Sequence, residues 1–474
     1  MPRAFPFAIG GKLVAPEHPV EVRSPYSGDV VGTAGEANGQ ETERALAAAA
    51  GARAPMAALP AWRRSQALRA LEFAVRENQE ELAGLMCAEA AKPIRDAKAE
   101  VQRGLLTLRT AAEEALRNGG NVMPLDFAAG AEGRYSISRR FPIGVIAGIT
   151  PFNFPLNLVL HKLAPAMASG NPVVIKASPR TPLTAMRLGE MAMGLELPPG
   201  GVNVVAGGAA PARQMCEDGR VAMVSFTGSA AVGWELKARA GRKKVVLELG
   251  GNAANLVHHD ADLDLAAGRL IAGAFGYAGQ SCISVQRVYA HRAIYDALRQ
   301  RLIECAKRLR VGDPAKAETD VGPMINDEAA ARSHAWIEQA LAAGAGAACG
   351  AKREGRFVWP TILERVPATA AIFQEEAFAP VLLLAPYDEP AEALREANAS
   401  RYGLQAGIFT RDVEFALRAF EQLEVGAVLL NEVSSWRMDP MPYGGVKDSG
   451  FGREGLRSSI EEMTELRLLI LKSK

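Results

Sequence analysis

The sequence is short of long apolar runs, of surplus charge and of cysteine, and each shortage excludes something. No stretch reaches the roughly 18 uninterrupted apolar residues that a membrane-spanning helix needs. The opening segment, MPRAFPFAIGGKLVAPEHPV, is broken by charged and turn residues, so no secretory signal peptide and no membrane partner are expected. Lys and Arg number 54 against 53 Asp and Glu, a net charge of +1, which leaves no basic excess for nucleic acid. The five cysteines (Cys87, Cys216, Cys282, Cys305 and Cys349) are widely spread and odd in number. That usage fits a reducing, cytoplasmic setting without a disulfide framework. No CxxC pair or His/Cys cluster has metal-ligand spacing, so no metal is expected. There is no internal repeat and no low-complexity tract.

What is present is a chain of 474 residues, 49% apolar and 23% charged, too long for one core and typical of a globular protein. ETERALAAAAGARAPM, RRSQALRALEFAVRENQEELAGLMCAEAAKP and AKAEVQRGLLTLRTAAEEALRN read as Ala- and Leu-rich helices. GRYSISRRFP alternates like an exposed strand. From Ile143 the pattern changes. IGVIAGI, PVVIK, VNVVA, AMVSF and KVVLEL are short apolar runs separated by helical stretches, the pattern of βαβ units around a buried parallel sheet. A second α/β series starts near NAANLVHHDADLDLAAGRL and includes VQRVYAH, AIFQEEAFAPVLLLAPY and GLQAGIFT. The fold class is α/β, with a sheet that commonly takes a dinucleotide at its carboxyl edge. The apolar tail strand in EEMTELRLLILKSK would be an exposed edge if left unpaired, so a homo-oligomer is expected.

Four short stretches carry chemistry, each with a plainer alternative. In SFTGSAAVGWELKARAG, Gly228 and Ser229 open a helix with Gly233 in its first turns, where free N–H groups favour phosphate; glycine there is also ordinary turn chemistry. In ITPFNFPLNL, Asn153 lies between prolines and can donate to an oxyanion, or simply serve the turn. In VVLELGGN, Glu248 ends an apolar strand, where desolvation would raise its pKa toward that of a general base; a strand-end ion pair is the other reading. In GYAGQSCISVQR, Cys282 is a core thiol or a nucleophile with small neighbours that leave space at sulfur.

Taken together, PFNFP, GNPVVIKASPRTPLTA, FTGSAAVG, LELGG, GQSC, EEAFAP and MPYGG occur in an order that resembles the NAD(P)-dependent aldehyde dehydrogenase superfamily over essentially the whole chain. The resemblance implies that Cys282 is the nucleophile, that Asn153 and the Cys282 N–H hold the oxyanion, and that Glu248 activates water against a thioester. It matches Lys162 and Glu454 to positions that help proton movement in some relatives. For the cofactor, NAD or NADP, it implies contacts at Thr150, Phe152, Lys176, Ser178, Arg180, Gly228, Ser229, Gly233, Leu249, Glu376 and Phe378.

Three positions depart from the common pattern. Pro179, followed by Arg180, stands where many NAD-specific members carry glutamate; losing that carboxylate removes repulsion toward a 2′-phosphate. Phe152 replaces a common tryptophan and Ala379 a common glycine. Trp436 and Arg437 fall in the loop that forms the family's substrate mouth, His161 follows PFNFP, and Arg287 lies past the nucleophile. These cationic neighbours suggest a small polar or anionic aldehyde as in the lactaldehyde, phosphonoacetaldehyde and non-phosphorylating glyceraldehyde-3-phosphate branch. The alternatives are a broad-specificity aldehyde dehydrogenase and a coenzyme-A-acylating semialdehyde dehydrogenase. The expected division is a cofactor domain over 1–118 and 143–249, a catalytic domain over 250–449, and a small β oligomerisation element over 119–142 and 450–474, joining subunits as dimers or tetramers.

Overall fold

The computed structural model describes residues 2–473. Its first half is built on five parallel strands in the spatial order Lys244–Glu248, Val221–Thr227, Val145–Ile149, Val173–Ala177 and Val202–Ala206, extended by short antiparallel strands at both edges. Nearly every residue of the three central strands is buried, which explains their continuous apolar runs: helices cover both faces, so no face needs polar residues. Its second half is a seven-stranded sheet centred on Ala253–Val257, Val285–His291 and Val381–Tyr387, parallel except at one edge. Each sheet has its own apolar core.

The amino-terminal helices follow the expected pattern with one break. Gly39–Ala58 begins with a capping box in which Asn38 and Glu41 satisfy each other's backbone N–H groups. The stretch RRSQALRALEFAVRENQEELAGLMCAEAAKP, residues 63–93, holds two helices, Ala61–Glu77 and Gln79–Ala90. Asn78 leaves helical geometry between them, and its side-chain amide donates to the Ala74 carbonyl. Similarly, AIFQEEAFAPVLLLAPY is a strand only over Val381–Tyr387. A helical turn covers Ala371–Gln374, and the intervening loop carries Phe378 at φ 47°.

The tail strand Thr464–Lys472 pairs antiparallel along the whole of Arg134–Pro142, with Val122–Pro124 beyond. The residues before it do not join this small sheet. Gly450–Phe451 adds to the cofactor-side sheet beside Leu247 and Glu248, and helix Leu456–Glu462 packs on the same side through Leu456 and Ile460. Leu466, Leu468, Leu469 and Ile470 remain exposed on the tail strand.

Candidate active site

Between the two large sheets lies a cavity of about 300 Å³ with Cys282 in its wall. The loop that delivers Cys282 is wound left-handed at Tyr277 (φ 47°), Ala278 (φ 52°) and Gly279 (φ 66°). At Gly279 a Cβ would come within 2.1 Å of the Ala379 carbonyl, so only glycine lets the loop pass. The Asn153 amide donates to the Gln280 carbonyl at 2.9 Å, and the Gln280 side chain accepts from the Ile325 N–H. These bonds tie PFNFP to the nucleophile loop across the two halves of the chain. Behind them Lys92 pairs with Glu100 in the dry interior. Glu100 accepts the N–H groups of Leu156 and Asn157 at the start of the next helix, and Lys92 lies 3.7 Å from the centre of the Phe154 ring. Burial pushes the Cys282 thiol up to about 11, against a hydrogen bond from Tyr443 that lowers it.

The cavity also collects Phe152, Gly228, Ser229, Leu249, Glu376 and Phe378. A second cavity of about 250 Å³ adjoins it, sharing Phe152, Arg332 and Phe378 and bringing in Arg180. The surroundings fit a dinucleotide. Ser229 precedes helix Ala230–Arg239 without capping it by its side chain, leaving first-turn N–H groups for phosphate. Gly233 is needed where it stands, because a Cβ there would meet Leu249 at 2.3 Å. The Thr150 hydroxyl is buried and unpartnered. Glu376 accepts the Gly251 N–H, and burial raises its carboxyl to about 7. Thr150, Lys176, Ser178 and Gly233 lie outside both cavity walls, as does Glu248. Lys176 is held by the Gly207 carbonyl at 2.8 Å, and burial lowers its ammonium to about 8. The Ser178 hydroxyl accepts the Arg180 N–H.

Glu248 ends its strand fully buried, and neither carboxylate oxygen has a hydrogen-bond partner among the described residues. Desolvation, reinforced by Glu454, raises its pKa well above the ordinary carboxylate range. Glu454 is held in the opposite way. It accepts from Lys162 at 2.6 Å, its other oxygen faces His161 and Arg437 at 3.5 and 3.6 Å, and these cations and donors hold it far below the ordinary range against the pull of burial.

Arg437 reaches the cavity. Its guanidinium stacks 3.6 Å from the centre of the Tyr443 ring, and Nη2 meets His161 Nδ1 at 3.2 Å. His161 itself is behind the wall, with Nε2 on Asp439 at 3.0 Å, so it supports Arg437 and does not face a substrate. Trp436 is 40% exposed and does not line the cavity. Arg287 is displaced altogether. It is buried on the far side of its strand, donating to the carbonyls of Asn252, Glu396 and Ala397. The reason is a bulge: pairing jumps from Ala253–Val285 to Ala254–Arg287, and the extra residue changes which face Arg287 takes. Sequence reasoning missed three residues. Arg103 lines the cavity and is held by two bonds to Asp439; Asp439 also accepts from Asn157; and the Tyr443 hydroxyl lies 3.3 Å from the Cys282 sulfur. Tyr443 sits inside MPYGG and Asp439 two residues past Arg437, whereas Arg103 has no local signal.

Residues 14–469 match the model of the aldehyde dehydrogenase family. The 3-sulfolactaldehyde dehydrogenase of Priestia megaterium is 45% identical over 394 residues, 83% of either chain. Among solved structures, aldehyde dehydrogenase 21 from Physcomitrella patens, in complex with the reaction product succinate, superposes with a TM-score of 0.98 at 41% identity, covering 100% of this chain and 99% of its own. Glyceraldehyde-3-phosphate dehydrogenase GapN from Methanocaldococcus jannaschii, complexed with NADP, gives 0.92 at 37% identity over 96% of this chain and 99% of its own. With both the motif order and the α/β frame accounted for, this chain belongs to the aldehyde dehydrogenase family and is an NAD(P)-dependent aldehyde dehydrogenase.

Proposed function

We propose that the protein oxidises a small anionic aldehyde to the carboxylate through a covalent adduct on Cys282. The observation that carries the reading is one cavity in which Cys282 and Asn153 share the wall with the guanidinium-bearing residues Arg103 and Arg437. Asp439 fixes Arg103, and His161 fixes Arg437, so both arginines are oriented before substrate arrives. A sulfonate, carboxylate or phosphate at the far end of a short aldehyde would meet that pair while its carbonyl faces sulfur. The relatives named for 3-sulfolactaldehyde and solved with succinate support the same class.

In this reading the Cys282 thiolate adds to the carbonyl carbon, and the Asn153 amide and the Cys282 N–H stabilise the alkoxide of the thiohemiacetal. When bound, the oxidised dinucleotide supplies the hydride acceptor that converts this adduct to a thioester. Glu248, dry and unpartnered, then takes a proton from water as the water attacks the thioester carbon, and Cys282 departs as thiolate. Lys176, Ser178, Arg180, Thr150, Ser229 and Glu376 are the residues assigned to holding the dinucleotide. Pro179 in place of a carboxylate, with half-exposed Arg180 beside it, favours NADP. The exposed apolar tail strand supports pairing with a second copy, as a dimer or tetramer, and the five free cysteines suit the reducing cytoplasm.

A reduced-cofactor assay at 340 nm tests the reading, with NAD and NADP in parallel, against 3-sulfolactaldehyde, succinate semialdehyde, glyceraldehyde 3-phosphate, lactaldehyde and propanal, with and without coenzyme A. Preference for the anionic aldehydes, without need of coenzyme A, is expected. Equal rates on propanal would overturn the anionic class, coenzyme A dependence would make the enzyme acylating, and full turnover by Cys282→Ala would overturn the covalent route.

A further inference from the structure

The Tyr443 hydroxyl is almost fully buried, and its hydrogen-bond partner among the described residues is the Cys282 sulfur, at 3.3 Å. The surroundings of that contact are apolar: Ile283, Leu404 and Met441 pack around Cys282 and Tyr443. The backbone of Tyr443 is pinned by a pair of hydrogen bonds with Glu454, N–H to carbonyl in each direction at 2.9 and 2.7 Å. Its ring is pinned by Arg437, whose guanidinium carbon lies over the ring, 3.6 Å from its centre. The next residue, Gly444, is where Glu248 approaches; a Cβ there would come within 2.9 Å of a Glu248 oxygen. One short segment therefore places a phenol against the sulfur and lets the unpartnered carboxylate close beside it.

We propose that Tyr443 is a further catalytic residue, whose hydroxyl donates to the Cys282 thiolate and aims the sulfur into the cavity, with Arg437 on the ring face strengthening it as a donor. This rests on the reading of Cys282 as the nucleophile. A half-buried thiolate in this apolar setting keeps little of its water and gains from a donor. Tyr443 can only donate in that state, because burial and the neighbouring sulfur push its hydroxyl well above its usual value and it keeps its proton. A cation over an aromatic face draws electron density from the ring, which makes the O–H a better donor. In the step itself the thiol proton leaves for a base, the Tyr443 O–H turns to the sulfur, and the S–C bond forms as the carbonyl π pair moves to oxygen. Once sulfur is bonded to carbon it is a poor acceptor, so the contact weakens in the adduct and the thioester and forms again as Cys282 departs as thiolate.

The opposing consequences of such a donor give the test. A hydrogen bond to a charged group at this contact makes the thiolate about tenfold more abundant below its midpoint. The same bond makes each thiolate about threefold less nucleophilic, since reactivity falls with a Brønsted coefficient of about 0.4–0.5. In Tyr443→Phe, which keeps the ring beneath Arg437, the Cys282 thiolate fraction at pH 10 should fall about tenfold, read by ¹³Cβ NMR of labelled cysteine with Cys282→Ser for assignment. Iodoacetamide alkylation of Cys282, located by peptide mass, should slow only about threefold. Arg437→Met, a second variant that keeps the hydroxyl, should move both readouts in the same direction by less. An unchanged thiolate fraction in Tyr443→Phe, or falls of equal size in both readouts, would overturn the proposal. If Cys282→Ala retains full turnover, the covalent route fails instead, and that outcome is read separately from the Tyr443 profile.

Discussion

Two buried glutamates stand near the same cavity, Glu248 at the end of a strand on the cofactor side and Glu454 just beyond MPYGG, and the chain holds them in opposite ways. Burial is nearly identical, so exposure does not distinguish them. Partners do. Glu454 is surrounded by Lys162, His161 and Arg437 and stays ionised, whereas Glu248 has no hydrogen bond on either oxygen and is pushed toward the protonated form. The difference teaches that a buried carboxylate is made structural by satisfying it and reactive by leaving it short of partners.

The sharpest way to break that contrast is Glu248→Gln. Turnover should fall about 10²–10⁴-fold, with an acylated Cys282 accumulating in intact-mass spectra. The same change should stabilise the fold by about 1–3 kcal/mol in denaturant titrations at neutral pH, because it removes an unpartnered buried carboxylate. A stable but fully active variant would place the base elsewhere. Wild-type stability should share this origin. Because Glu248 binds its proton more tightly folded than unfolded, its cost is absent below the ordinary carboxylate value and grows as pH rises through the folded one.

Glu454→Gln should show the reverse. Breaking a buried pair leaves Lys162 uncompensated and should cost about 3–5 kcal/mol of stability at neutral pH. The Glu454 carboxyl is depressed in the fold, so its contribution is present above the unfolded value, about 4.3, and is lost as pH falls toward the folded one. The gap between wild type and variant should therefore narrow in acid; a gap independent of pH would mean that Glu454 acts through packing alone. A smaller effect is expected from Arg437→Leu. The KM for anionic aldehydes should rise about 10–100-fold while that for propanal changes little. Arg287→Leu, by contrast, should leave both KM values in place and lower stability, since its donors go to main-chain carbonyls.

The βαβ pattern and the convergence of Cys282 and Asn153 on one cavity were legible because each lies in a short motif whose local geometry is set by its own neighbours; Glu248 ends its buried strand outside that cavity's wall. The substrate side was less so. Arg287 read as a neighbour of the nucleophile, but a single bulged residue turns it away, and a bulge has no reliable signature in side-chain alternation. Arg103 sits on helix Ile94–Arg117 among charges at helical spacing, which look like a solvated face until the fold brings Asp439 to it across 336 residues. The two-helix break at Asn78 and the loop within EEAFAP were also hidden, because helix-forming Arg76, Glu77, Gln79 and Glu80 run straight through the first and apolar residues flank the second.

The left-handed run of Tyr277, Ala278 and Gly279 has a consequence for how this enzyme can change. Two of the three positions carry side chains in a conformation that costs about 1–2 kcal/mol per residue relative to the right-handed one. Glycine at Ala278 would relieve part of that cost in the fold but would also loosen the unfolded chain and the tether that aims the sulfur. A lineage selected for durability alone would find its gains elsewhere on the surface. This loop is a ratchet, in which substitutions that ease the backbone are those that blur the nucleophile, and its awkward geometry is inherited together with the reaction.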